Sequence, residues 1–237
     1  MSEYLKEKPS QLIIIGGGYS IKEAISKGLW DKLEGQFVIG TNYSFNYHIS
    51  TIQCYLDNKF YQEQCENLKK LPLIITKPHQ KNKLDNQIML KINSKGTRDL
   101  KNGVYKGSLT GIFALSLGIH LLDVGEIFLL GYDFGSSEVL TMKDGKTKKP
   151  ITHFYQDEIK HRGVGKVNYY NAKGRAERDF APFTNEKKVK IYNVSSQSKI
   201  TVFPKISYDE FFKRLDNKKY CQTYLRAYTK AKLSKLF

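Results

Sequence analysis

The chain has 237 residues, 40% of them hydrophobic and 26% charged, with 39 Lys and Arg against 23 Asp and Glu for a formal net charge of +16. That composition excludes intrinsic disorder, and a chain of this length buries roughly 70–75% of its unfolded surface, enough for a core without disulfide or metal staples. The positive balance favours polyanionic partners, whether nucleotide, nucleic acid or an acidic surface, although a Lys-, Asn-, Ile- and Tyr-rich usage also follows from coding bias and no RNP box, zinc finger or basic zipper is visible.

No apolar run approaches the roughly 18 residues of a spanning helix, and the stretch from Met1 to Ser10 has no signal-like apolar segment. The expectation is a cytoplasmic protein without a transmembrane segment. Cys54, Cys65 and Cys221 lack metal-ligand or disulfide spacing, so reduced thiols and no structural zinc are expected.

In chain order, Gln11 to Ile15 is a β-branched run that stops at Gly16-Gly17-Gly18 and is followed by Ser20 and Glu23 at capping-box spacing, which predicts strand, glycine turn and helix. Phe37 to Gly40 and Ile52 to Leu56 read as strands that end on polar pairs, Thr41-Asn42 and Asp57-Asn58. A fourth strand is expected over Leu71 to Thr76, with Pro72 at its first residue or edge, and a short one around Ile88 to Ile92. Ser108, Thr110 and Gly111 open an apolar stretch, Ile112 to Leu122, that reads as a helix buried against a sheet.

Glu126 to Leu130 is a strong strand that ends in Gly131-Tyr132-Asp133-Phe134. Residues 136–181 form a long polar stretch of the kind that makes lids or binding segments. Val189 to Val194 and Ile200 to Phe203 read as late strands, and Tyr208 to Leu215 and Tyr220 to Leu236 as helices. The fold expected is a single α/β domain over residues 1–237, Rossmann-like, a mostly parallel sheet with helices on both faces and a lid-like insertion.

In such a fold polar groups at strand C-termini collect on one edge of the sheet, where ligands bind. Gly16, Gly17 and Gly18 let a phosphate or ribose approach the backbone, and the helix beginning near Ser20 adds free N–H groups. Asn42 and Asp57 are candidate ligand groups, each also readable as a cap or Asx turn. Ser108, Thr110 and Gly111 suit anionic oxygens or a plain N-cap. Asp133 is a candidate base or cation ligand.

His153, and then His161, Arg162 and Lys166, offer imidazoles with flanking cations, suited to proton transfer beside a phosphate ester. His48, His79 and His120 stand at no catalytic spacing. Neither a Walker A nor a complete GxGxxG is present, nor HExxH, GxSxG or a Cys/His pair, which removes hydrolase triads and zinc proteases.

Leu12 to Glu23 resembles the opening strand, glycine loop and helix of bacterial family 42 sialyltransferases, and Phe37 to Asn42, Ile52 to Phe60, Leu109-Thr110-Gly111 and Glu126 to Phe134 follow in that family's order. The layout is also similar to archaeal hydroxymethylpterin pyrophosphokinases and flagellin-glycosylation accessory proteins. The resemblance covers roughly residues 11 to 135. It implies a transferase using a nucleotide-sugar donor without a metal, with Asn42 on the donor, Asp57 and Thr110 where the family has Asn and Ser, and His161 as base.

Gly107 and Gly135 stand where the sialyltransferases have Arg and Tyr. The pyrophosphokinase relatives imply ATP with Mg²⁺ on carboxylates, here Asp57 and Asp133. The leading expectation is therefore a glycosyltransferase. The alternatives are an ATP- and Mg²⁺-dependent pyrophosphokinase-like transferase and a non-catalytic nucleotide- or nucleic-acid-binding protein.

Overall fold

The computed structural model describes residues 4–78, 83–93, 103–105, 107, 109–134, 139–141, 148–150, 153–155, 174, 177–186 and 188–234. Among the described residues there are twelve strands: β1 Gln11–Ile15, β2 Val38–Thr41, β3 Ile52–Tyr55, β4 Ile74–Thr76, β5 Gln87–Met89, β6 Ile92–Asn93, β7 Val104–Tyr105, β8 Glu126–Leu130, β9 Val139–Thr141, β10 Lys148–Pro150, β11 Lys190–Val194 and β12 Lys205–Ile206. The helices are α1 Ile21–Ser26, α2 Leu29–Leu33, α3 Asn58–Leu68, α4 Thr110–Leu121, α5 Tyr208–Arg214 and α6 Gln222–Leu233.

Eight strands form one sheet in the order β12-β11-β8-β1-β2-β3-β4-β5. Every pairing in it is parallel. Two small two-stranded pieces, β6 with β7 and β9 with β10, lie outside it.

Parallel strands need crossovers and are covered on both faces, which is why β1, β2 and β3 read as nearly continuous apolar runs rather than as alternations. The period of two then sorts their side chains. Leu12, Ile14, Ile39, Cys54, Ile127 and Leu129 enter one core with residues of α4 and α6, while Ile13, Ile15, Val38, Tyr55, Phe128 and Leu130 enter the other with residues of α1, α2, α3 and α5. The result is a doubly wound, Rossmann-like α/β fold with helices on both faces.

The chain lays down β1 to β5 in one direction, then returns to place β8, β11 and β12 on the other side of β1. The order therefore reverses between β1 and β8, the switch point where crossovers leave in opposite directions and a crevice opens beyond the strand C-termini.

Three local expectations are corrected. Ser20 and Glu23 form no capping box: the Ser20 hydroxyl donates to Asp133 and Glu23 accepts from Lys27. Pro72 precedes β4, which begins at Ile74, where the backbone N–H can donate to Asn86 O at 2.9 Å.

Ile200 to Phe203 is not a strand. The Ser198 hydroxyl accepts from Ile200 N and donates to Tyr132 O, holding this segment as a loop whose Ile200 and Phe203 fill the core, and the strand comes later, at β12. Among the described residues no helix is long and apolar enough to cross a membrane.

Candidate functional site

The ends of β1, β2 and β8 and the start of α4 surround a crevice of about 590 Å³, counted with its open mouth. Gly16, Gly17, Gly18, Asn42, Thr110, Gly111, Asp133 and His153 all line it, so eight of the residues expected from the sequence are brought together. Thr41, Leu109, Gly131, Tyr132 and Phe134 complete it.

The glycine loop continues the β1–β8 ladder past its last strand residue. Gly16 N donates to Leu130 O at 2.7 Å and Gly18 N to Gly131 O at 2.8 Å. A Cβ on Gly18 would stand 2.5 Å from Gly131 O and 2.6 Å from Asp133 Oδ2, and one on Gly17 would stand 2.6 Å from the His153 ring. The three successive glycines thus answer close approaches inside the protein: the loop presses on the end of β8, and His153 closes over it. Phe154 N donates to Gly17 O at 3.0 Å, which fixes the His153 segment on the loop.

Asp133 is 2% exposed. Its Oδ2 accepts from Ser20 N at 2.7 Å and its Oδ1 from the Ser20 hydroxyl, which lies 3.3 Å from Tyr208 OH. Burial raises the carboxyl above its ordinary range, opposed by the Ser20 hydroxyl and amide and by Ser195. Both oxygens therefore serve to fasten α1 to the end of β8. Asp133 thus both lines the crevice, as the sequence placed it, and positions the loop.

Asp57 is corrected. It is exposed, lies outside the crevice lining, and caps α3 by accepting from Lys59 N at 2.7 Å. With Asp57 on a cap outside the crevice lining and Asp133 bonded to Ser20, the two carboxylates expected to hold Mg²⁺ do not line one crevice together. Ser20 lies beneath the crevice lining rather than in it. Ser108, His161, Arg162 and Lys166 lie outside the described residues.

Two residues beside the crevice hold left-handed backbone without being glycine: Asn42 at φ 49° and Phe134 at φ 44°. Such a conformation costs an L-residue about 1–2 kcal/mol, less for Asn, and clusters at functional sites. Asn42 Oδ1 accepts from the Thr110 hydroxyl at 3.3 Å, so the end of β2 touches the start of α4. Tyr132 OH donates to Gly111 O at 2.9 Å, tying the same helix start to the end of β8, and burial pushes this phenol well up.

The start of α4 is unlike those of α3 and α5, which Asp57 and Ser207 cap. Its N-cap is Leu109, 36% exposed, which has no side-chain acceptor to offer. Ile112 N and Phe113 N bond back to Leu109 O. Thr110 N–H and Gly111 N–H have no acceptor among the described residues, and they stand at the positive end of a 12-residue helix.

The sequence reading missed Thr41, Leu109, Gly131, Tyr132 and Phe134 as lining residues, Gly131 standing two positions and the others one from a residue it singled out. Position could have found them.

Compared with protein-family models, with curated proteins and with solved structures, the chain finds no match.

Proposed function

We propose that this crevice holds the phosphate end of a nucleotide donor and that the protein is a nucleotide-donor-dependent transferase, of glycosyl groups in the first place. The observation that carries the proposal is the uncapped start of α4, which presents Thr110 N–H and Gly111 N–H to a crevice at the switch point of a Rossmann-like sheet. Orphan backbone donors at a helix dipole's positive end stabilise an anionic oxygen.

In this reading Asn42 takes the ribose or base, and His153 over Gly17 takes the acceptor's proton. The acceptor oxygen bonds to the donor's anomeric carbon as the carbon–oxygen bond to the phosphate breaks. The electron pair leaves on the phosphate, which the α4 donors stabilise. The roles expected for His161, Arg162 and Lys166 rest on the sequence, since these residues lie outside the described ones. The positions of Asp57 and Asp133 speak against the Mg²⁺-dependent pyrophosphokinase alternative.

The test is thermal unfolding with CMP, CDP, UDP, GDP or ATP, each with Mg²⁺ and with EDTA. A sugar-donor nucleotide at a hundredfold excess over its Kd raises Tm by about 5–10 °C, with no loss in EDTA. A shift confined to ATP with Mg²⁺ would move the function to the kinase-like alternative. Absence of any shift would reject a nucleotide site and leave the +16 charge as the route to polyanions.

A further inference from the structure

Gln53 stands in the middle of β3, directly opposite Gly40 in the β2–β3 ladder, and is 2% exposed. A polar amide in a strand buried on both faces is costly unless its groups are bonded. Its Nε2 donates to Asn42 O at 2.9 Å and lies 3.3 Å from Cys54 O. The main acceptor is thus the carbonyl of the crevice residue with the left-handed backbone.

The other end of the amide and two serine hydroxyls crowd round Gly40. Around the Cα of Gly40, a Cβ would stand 2.5 Å from Ser44 Oγ and 2.7 Å from both Ser50 Oγ and Gln53 Oε1. All three atoms are buried and have no partner among the described residues. The carbonyls of Asn42 and Cys54 permit one orientation of the amide, with Nε2 toward Asn42, because the flipped amide would set oxygen against oxygen.

Asn42 links this arrangement to the crevice through its Oδ1 contact with Thr110. We infer that Gln53 is a positioning residue for ligand binding: from within the sheet it holds Asn42 in the left-handed conformation that carries the Asn42 amide to the start of α4. The inference rests on the nucleotide-site reading for its effect on affinity, whereas the hold on Asn42 stands apart from it. Gly40 belongs to the same arrangement, since any side chain there would displace the Gln53 amide.

A double-mutant cycle tests this, with CMP as probe and its Kd measured by titration calorimetry for wild type, Gln53→Leu, Asn42→Gly and the double variant. Glycine keeps the left-handed turn at no steric cost while removing the side chain that Gln53 positions. The expected result is a Kd raised about tenfold by Gln53→Leu in the wild-type background and less than about twofold in the Asn42→Gly background. An equal factor in both backgrounds, or none in the wild type, would overturn it, since a merely structural role lowers Tm alike in both.

If CMP does not bind the wild type, the hold on Asn42 is read from crystal structures of wild type and Gln53→Leu. Loss of the left-handed Asn42 backbone with β2 and β3 superposing upholds it, and an unchanged Asn42 sinks it. Gln53→Met, closer to glutamine in shape, replaces Gln53→Leu if the latter fails to fold.

Discussion

Asp133 carries a buried carboxyl whose bonds to Ser20 favour the charged form, while burial, the larger effect, favours the neutral one. Its pKa in the folded protein is therefore raised above the ordinary 3.8. For a group raised in this way the folded state binds a proton that the unfolded chain has released. Its contribution to stability is fully present below about pH 3.8 and is lost as pH rises through the folded value. The stability of wild type minus that of Asp133→Asn should accordingly fall as pH rises above the ordinary 3.8, by about 1.4 kcal/mol for each unit of upward shift. Urea unfolding of both proteins in pH steps measures this, and a difference that stays flat would show that burial does not govern the carboxyl.

Asn42 and Asp57 show how much a residue type discloses at this scale. Both follow strands and both read as ligand groups or caps. Asn42 turns left-handed into the crevice, whereas Asp57 turns back to cap its own helix. Both outcomes use the same Asx chemistry, so the choice lay with neighbours distant in sequence, Gln53 and Thr110 for Asn42.

Among the elements, α4 has an apolar body that announces a buried helix, and a start that breaks the usual rule for one. Leu109 leaves donors unmet at the end nearest the crevice. Replacing it with a capping residue, Leu109→Asp, should stabilise the fold by about 0.5–2 kcal/mol and at the same time weaken nucleotide binding, because the new carboxylate occupies the N–H groups and repels an anion. Chemical denaturation with nucleotide titration gives both quantities. Stability gained with unchanged affinity would place the ligand away from α4.

The strands β1, β8 and β11 stand within a residue of where their apolar runs placed them, since central parallel strands buried on both faces read plainly. Short elements were less legible. Helix α3 shows a polar sequence with only Phe60 and Leu68 buried, too thin a stripe to stand out before the fold is known. Ile200 and Phe203 are apolar because a loop fills the core beside the Ser198 hydroxyl. Burial alone does not distinguish loop from strand.

For the whole molecule, the charge of +16 is a self-repulsion that salt relieves. Raising NaCl from about 10 mM to about 150 mM shortens the screening length from about 30 Å to about 8 Å. The ion pairs are exposed and individually weak, among them Lys8–Asp123 and Lys219–Glu34. Screening of the net charge should therefore dominate, and Tm should rise by about 2–4 °C, equivalent to about 1 kcal/mol. Calorimetry across that range measures it, and a falling Tm would mean that the ion pairs outweigh the net repulsion.

The sequence by itself determined the α/β class, the parallel character of the sheet and the set of strand ends from which a site is built, because apolar period, glycine turns and strand-end polar residues are local signals. The tertiary structure decided the rest. Only the strand order put β8 beside β1, and so set Asp133 under the glycine loop, His153 over Gly17 and the start of α4 against Asn42. Those contacts join residues tens to more than a hundred positions apart, and no local signal specifies which distant partner a buried carboxylate or an orphan N–H will meet.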